Sequence, residues 1–267
     1  MRPKAPRVIA IANQKGGVGK TTTAINVGTA LAASGEQVLL IDLDPQANAS
    51  TGLGIGSDQR RPSTYSLLGD ECEANQAARR TAIPNLSIIP AEPSLAGAEV
   101  ELVSLEGREF CLRNALAPLR QEPEFTFILI DCPPSLGLLT LNSLVAADAV
   151  LVPLQCEFFA LEGISQLVKT LEMVRRRLNP ALELHGIVLT MFDRRNNLSD
   201  LVAADARNFF GSRVYETVIP RNIRISEAPS HGKPVLIYDF RSPGAQAYVR
   251  LAAELLRRER GGSKAAS

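Results

Sequence analysis

The sequence predicts an α/β protein with a doubly wound, mostly parallel β-sheet and helices on both faces, in a single domain. Short apolar runs alternate with helical patterns along nearly all of the chain. These runs do not switch strictly between polar and apolar residues, which is typical of strands covered on both faces. The chain has 267 residues, of which 45% are hydrophobic, so it is long enough to bury a large core.

The predicted elements follow one another as repeated strand–helix units. Apolar residues at i, i+3 and i+4 spacing, such as Ile164, Leu167 and Leu171, indicate one helix, and Tyr248, Leu251 and Leu255 indicate another near the C-terminus. We expect an N-terminal arm at residues 1–6, one domain at 7–260 and a disordered tail at 261–267. Strands are predicted at residues 7–12, 37–42, 86–90, 125–131, 149–153, 184–190 and 214–219.

A glycine-rich loop joins the first predicted strand to the first predicted helix. Glycines let backbone N–H groups converge on phosphate oxygens, and the helix N-terminus adds its positive dipole end. Lys20 is expected to reach the β- and γ-phosphates, and the Thr21 hydroxyl to hold Mg²⁺. These features predict the P-loop NTPase fold, although Gln14 replaces the first glycine of the usual motif. The loop reads Gln14-Lys15-Gly16-Gly17-Val18-Gly19-Lys20-Thr21-Thr22.

Two predicted strands end in carboxylates. Asp42 and Asp44 follow the second strand, and we expect one to face metal and water while the other anchors the loop. Asp131 ends an apolar strand in the Walker B pattern and is expected to bind Mg²⁺ through water. The alternative for Asp44 is an ordinary acidic turn before Pro45.

With its second lysine, Lys15, the loop resembles the deviant Walker A of the ParA/MinD group of P-loop ATPases. The Asn-Gln pair before it and residues 42–48 resemble the ParA/Soj chromosome-partitioning branch. The resemblance implies that residues 15–22 bind ATP with Mg²⁺, and that Lys15 crosses a dimer interface to the nucleotide of the other subunit. There it would stabilise transition-state charge beside Lys20, while Asp44 positions the attacking water. It also implies that Pro220 and Asn222 lie beside the adenine base.

The segment at residues 153–163 resembles the dimer face of the family, so Gln155 and Glu157 are expected at the interface together with Lys15. Phe158 and Phe159 in this segment fit a core position equally well. The same resemblance implies an ATP-dependent homodimer.

The C-terminal part of the chain is basic. Residues 191–267 hold 13 Lys and Arg against eight Asp and Glu, whereas the whole chain has a net charge of +1. The resemblance implies binding of nonspecific double-stranded DNA by Arg195 and Arg224, with Arg221 and Lys233 as lesser candidates, through phosphate contacts. A solvated charged face is the alternative.

Taken as a whole, the resemblance implies an ATP-dependent switch for chromosome or plasmid partitioning. The ATP-bound dimer would bind DNA and leave it on hydrolysis stimulated by a ParB-like centromere-binding protein. No run of about 18 apolar residues and no signal peptide is evident, so we expect a cytoplasmic, nucleoid-associated protein without a membrane partner. Three alternatives keep the same loop: a MinD-like membrane-associated ATPase, a regulatory binding protein with incidental turnover, and a nitrogenase-type reductase. The reductase would need cysteines placed to bridge an iron–sulfur cluster, and Cys132 and Cys156 are not in an evident ligand pattern.

Overall fold

A computed structural model of the chain describes residues 5–121, 124–157 and 160–265. The strands within these residues are β1 (Arg7–Ile11), β2 (Val38–Asp42), β3 (Arg79–Arg80), β4 (Leu86–Ile89), β5 (Phe127–Asp131), β6 (Ala149–Gln155) and β7 (Glu183–Thr190). The α-helices are α1 (Lys20–Ala33), α2 (Asn48–Gly52), α3 (Thr64–Leu68), α4 (Ala74–Ala77), α5 (Leu95–Leu102), α6 (Cys111–Ala115), α7 (Ala117–Gln121), α8 (Leu138–Ala146), α9 (Ala160–Arg177), α10 (Asn197–Phe210), α11 (Ile223–Glu227), α12 (Val235–Tyr238) and α13 (Pro243–Ala265).

The strands form a single sheet in the order β3-β4-β2-β5-β1-β6-β7. All neighbouring strands are parallel except β3 and β4, which are antiparallel. In the register of the sheet, Asp131 at the end of β5 lies between Ile11 of β1 and Asp42 of β2. The carboxyl ends of these three strands therefore meet at one edge, where ligands bind in open α/β sheets. The predicted doubly wound α/β fold is confirmed.

Both faces of the sheet are covered by core. In β1, Val8 and Ala10 pack into one layer with α8 and α9, whereas Ile9 and Ile11 pack into the other with α1 and α13. All four side chains are fully buried. Burial on both sides explains why the strand sequences lack a strict polar–apolar alternation.

The strand predicted at residues 214–219 is wrong. This segment does not form a continuous ladder with β7. It pairs with that strand through an isolated bridge between Ile187 and Val214. The buried Glu254 carboxylate of α13 accepts hydrogen bonds from the backbone N–H groups of Glu216 and Thr217, at 2.9 and 3.0 Å. These groups cannot then pair with a strand. The short β3, in contrast, was not predicted.

The two helices predicted from apolar stripes are present as α9 and α13, and their stripe residues are buried. The last helix ends at Ala265, so it includes residues 261–265 of the stretch for which the sequence predicts a disordered tail. A helix that is already nucleated propagates through Gly261 at a cost of about 1 kcal/mol relative to alanine. No helix in the described part of the chain is long and apolar enough to cross a membrane.

Candidate functional site

The glycine-rich loop curls around the N-terminus of α1. Gly17 and Gly19 have φ angles of +75° and +86°, a conformation that residues with a Cβ adopt rarely. Gly19 is the N-cap of α1. Within the described residues, no backbone N–H of residues 16–19 donates a hydrogen bond of normal geometry. The loop therefore presents unpaired donors at a helix N-terminus, which is the arrangement that binds phosphate.

Three side-chain hydrogen bonds fix the shape of this loop. Asn13 Nδ2 donates to the carbonyl of Pro153 at 2.7 Å, and Asn13 Oδ1 accepts from the N–H of Lys15 at 3.1 Å. On the other side, Thr190 Oγ1 donates to the carbonyl of Val18 at 2.9 Å. The loop is thereby attached to the ends of β6 and β7. No sequence pattern indicates Thr190, because its role depends on a contact 172 positions away.

The two lysines of the loop have opposite environments. Lys20 is buried, and its Nζ donates to the carbonyl of Lys15 at 3.0 Å. Burial is the largest influence on Lys20 and lowers its pKa, because a desolvated ammonium is disfavoured. The side chain of Lys15 is 45% exposed, and its Nζ forms an ion pair with Glu157 at 2.5 Å. Lys20 thus lies buried inside the loop, whereas Lys15 is held at the surface by Glu157.

Asp42 and Asp44 accept different sets of hydrogen bonds. The Asp42 carboxylate is fully buried and accepts hydrogen bonds from the N–H and Oγ of Ser50, at 2.8 and 2.7 Å. It also accepts from the N–H of Asp44 at 3.3 Å, so Asp42 is the carboxylate that anchors the loop. Burial raises the pKa of Asp42 to about 6. Asp44 Oδ1 accepts from the N–H of Gln46 at 3.0 Å, and Asp44 lies at the same edge of the sheet.

Asp131 is buried without hydrogen-bond partners. Neither carboxylate oxygen has a partner of normal geometry among the described residues, although Thr21 lies close enough to lower the pKa of this group. The pKa of Asp131 is raised well above its usual value, mainly because the carboxyl is buried and next because of the nearby charge of Asp42. An unpaired buried carboxylate is costly unless a cation satisfies it. Carboxylate and hydroxyl oxygens are ligands that Mg²⁺ prefers, so Asp131 and Thr21 fit a magnesium ion.

The predicted interface residues lie beside Lys15. The side chains of Gln155 and Glu157 are joined by a short hydrogen bond, and Glu157 holds Lys15. Phe158 and Phe159 lie outside the described residues. Cys132 and Cys156 are both buried, and burial raises the pKa of these thiols to about 12 and about 11.

A cleft of about 510 Å³ is lined by the segment that directly follows β7, and we call it the arginine cleft. It contains the predicted adenine-side residues Pro220 and Asn222 together with Arg195 and Arg221. Asn222 Oδ1 also accepts from the N–H of Arg224 and begins α11. The lining residues are Phe192, Asp193, Arg194, Arg195, Val218, Pro220, Arg221, Asn222, Pro243 and Arg250. Arg250 was not predicted, because it comes from α13 and only the fold brings it here.

The four predicted DNA-binding residues differ in their pairing. Arg195 forms an ion pair with Asp193 at 2.9 Å, and its hydrogen bond lowers the pKa of that carboxyl to about 2. Arg224 forms an ion pair with Glu227 at 2.9 Å. Arg221 and Lys233 are exposed and form no ion pair with any residue in the described ranges. The structure brings Arg195 and Arg221 into one cleft, whereas Arg224 and Lys233 lie outside its lining.

Comparison with known proteins gives a consistent result. A sequence model described as an AAA domain matches residues 6–184. The chromosome partitioning protein ParA of Caulobacter vibrioides is 61% identical over 254 residues, which cover 95% of both chains. The sporulation initiation inhibitor protein Soj of Bacillus subtilis is 51% identical over 93% of this chain and 98% of its own.

Among solved structures, the cobyrinic acid a,c-diamide synthase of Mycobacterium smegmatis with bound ADP and magnesium superposes with a TM-score of 0.84. It is 40% identical and covers 96% of each chain. The sequence of the loop, the order of the strands and the identity to these relatives together show that the chain belongs to the ParA/Soj chromosome-partitioning proteins within the ParA/MinD family of P-loop ATPases.

Proposed function

We propose that this protein is an ATP-dependent switch that partitions DNA. The observation that carries the proposal is the buried, unpaired carboxylate of Asp131 beside Lys20 and the open N–H groups of the loop. ATP with Mg²⁺ would provide partners for these groups. Its phosphates would pair with Lys20 and the N–H groups of the loop, and the ion would be held by Asp131 and Thr21. The M. smegmatis relative with ADP and magnesium supports this assignment.

In this proposal the residues at the sheet edge share the work of hydrolysis. Asp44 orients the attacking water, and Lys20 stabilises charge on the transferred phosphoryl group. Lys15 leaves Glu157 and reaches the nucleotide of the second subunit, as an arginine finger does in trans. Bound Mg²⁺ would neutralise part of the phosphate charge. Gln155 and Glu157 would then lie at the interface between the two subunits, and Pro220 and Asn222 beside the adenine.

The ATP-bound dimer would bind duplex DNA through its phosphates. Arg195 and Arg221 supply exposed positive charge in the arginine cleft, and Arg224 and Lys233 are exposed cations outside its lining. Such contacts give affinity without sequence preference and a steep dependence on salt. A ParB-like centromere-binding partner would stimulate hydrolysis and release, so the protein would be found on the nucleoid.

Binding to a random-sequence duplex, with ATP, with ADP and without nucleotide, tests the proposal. Oligomeric state is measured in parallel by analytical ultracentrifugation. We expect DNA binding and dimerisation to appear together and only with ATP. Dimerisation without DNA binding would contradict the DNA role but keep the ATPase switch, whereas ATP-independent DNA binding would contradict the switch.

Two of the alternatives conflict with particular side chains. A MinD-like membrane helix needs a free apolar face, but Tyr248, Leu251 and Leu255 of α13 are buried against the sheet. A cluster shared across a dimer needs accessible thiols, but Cys132 and Cys156 are buried. The regulatory alternative uses the same ATP site. It is distinguished by the Asp44→Ala variant, which would keep its cellular function if turnover were incidental.

A further inference from the structure

An apolar groove lies between α8 and α9, and it shares no lining residue with the arginine cleft. Its floor is formed by Leu141, Leu144, Val174 and Leu178. One wall ends in Met173 of α9, whose side chain is 58% exposed. An exposed apolar side chain over an apolar floor is typical of an interaction surface rather than of a solvated face. We call this feature the α8–α9 groove.

The size and shape of the groove favour helix side chains over a small molecule. It encloses about 270 Å³, which is below the roughly 300–1,000 Å³ of typical small-molecule pockets. On α9 the lining positions Thr170, Met173, Val174 and Arg177 follow the i, i+3, i+4, i+7 spacing of a helix face. Such a face, set beside a second helix, is the kind of groove that receives the apolar side of an amphipathic helix.

The charge along the groove indicates which helix would fit. Arg177 is the charged residue among those that line the groove. Lys169 and Arg176 are exposed on α9, four residues before and three residues after Met173, and Glu172 is exposed beside both of them. Together with Arg177, the cations on this side of the groove outnumber this carboxylate. A positive rim attracts a ligand with negative charge beside its apolar anchors and disfavours a basic one.

We propose that the α8–α9 groove is the docking site for an acidic amphipathic helix of a partner protein. The apolar side chains of that helix would enter beside Met173, and its carboxylates would meet Arg177 and the neighbouring basic residues. This partner differs in chemistry from DNA, because it would use an apolar floor that a phosphate backbone does not need. It would also bind on a surface separate from the arginine cleft.

The groove is joined to the loop that follows Asp131. Leu136, 40% exposed, lies in this loop and at the mouth of the groove. The Thr140 Oγ1 of α8 donates to the carbonyl of Ser135 at 2.6 Å, which couples the loop to the helix. An occupant would therefore contact a segment next to the metal position. This coupling to nucleotide rests on the proposed function, whereas the docking itself does not.

Fluorescence anisotropy with two designed peptides of about 16 residues, long enough to form a helix, tests the docking. Both carry leucine at i, i+3, i+4 and i+7; one has glutamate on its flanks, and the other has lysine at the same positions. The full chain is titrated without nucleotide or DNA, so that failure of the proposed function does not affect the result. We expect the acidic peptide to bind at least tenfold more tightly than the basic one.

Variants of the groove give the matched comparison. Met173→Glu and Arg177→Glu are each expected to weaken the acidic peptide at least tenfold. Leu201→Glu on α10 is the control, because Leu201 is 62% exposed and lies outside the groove. Thermal unfolding checks that each variant is folded.

Several outcomes would overturn the proposal. These are an acidic peptide that does not bind, equal affinity for both peptides, and unchanged binding by folded Met173→Glu. Loss of ATP-dependent dimerisation in Met173→Glu would instead assign the groove to a second copy of the chain. If the chain sediments with anionic phosphatidylglycerol vesicles and Met173→Glu abolishes this, the groove would be assigned to a lipid surface.

Discussion

The phosphate loop and the arginine cleft both adjoin the carboxyl end of β7, but they are built in different ways. In the loop the working groups are backbone N–H groups and buried side chains, such as Lys20 and Asp131. In the cleft they are exposed arginines that come from separate segments, and Arg195 is already paired with Asp193. The first region is fixed by the core beneath it, whereas the second is a surface whose side chains can change partners.

This difference decides how strongly each region responds to a substitution. Buried charged groups interact in a low dielectric, so that removing one partner from a buried pair costs about 3–5 kcal/mol. Exposed ion pairs contribute only about 0.2–1 kcal/mol. We therefore expect all-or-none effects at the loop and graded, salt-dependent effects at the cleft.

The largest effect is expected from Lys20→Ala. Its ammonium is buried near Asp131, where the proposed function places the phosphates of ATP, so ATP affinity should fall at least about 100-fold. Isothermal titration with ATP and Mg²⁺ measures this change. Arg80→Ala is the matched control, because it also removes one positive charge but lies exposed on β3 at the edge of the sheet, and it should bind ATP as the wild type does. Unchanged affinity in Lys20→Ala would contradict the loop assignment.

Next in size is Asp44→Ala, which should separate binding from hydrolysis. Removing a residue that orients or deprotonates water lowers the rate by about 10²–10⁴-fold. The variant should still bind ATP and accumulate as a dimer, because the Asp44 carboxylate accepts a local hydrogen bond from the N–H of Gln46, two residues further along the chain. Phosphate release and sedimentation velocity measure the two properties. Turnover at the wild-type rate would remove Asp44 from this role.

The sequence predicts the phosphate loop and the strand ends beside it far better than it predicts the arginine cleft. A strand, a glycine loop and a helix are contiguous, so their geometry follows from local rules, and Asp42 and Asp131 end strands that the topology must bring together. Contacts between distant segments have no such signal. Arg250 in the cleft and Glu254, which replaces a predicted strand by side-chain hydrogen bonds, both come from α13. Their positions depend on how that helix packs.

At the cleft, the free and the paired cations should behave differently. Arg221→Ala removes an unpaired charge, whereas Arg195→Ala removes one that must first leave Asp193 before it can bind a phosphate. Both changes should weaken binding to all duplex sequences alike, with Arg221→Ala the larger. The slope of log K against log salt should flatten by about 0.9 for each phosphate that the variant no longer neutralises.

Fluorescence anisotropy at several salt concentrations, in the presence of ATP, measures these slopes. Arg80→Ala is a suitable control, because Arg80 is an exposed arginine on β3, at the opposite edge of the sheet. Weaker binding confined to some DNA sequences would argue for contacts with base edges instead of phosphates. An equal decrease in affinity for Arg80→Ala would mean that only the overall charge matters.

The smallest effect is expected at the exposed ion pair between Lys15 of the loop and Glu157. Both side chains are 45% exposed, so the pair contributes at most about 1 kcal/mol. Glu157→Gln should free Lys15 to cross the interface and strengthen ATP-dependent dimerisation by up to about fivefold. Glu183→Gln is the control, since it breaks an exposed pair with Arg7, far from the loop. Weaker dimerisation in Glu157→Gln alone would mean that Glu157 contributes to the interface directly, beyond restraining Lys15.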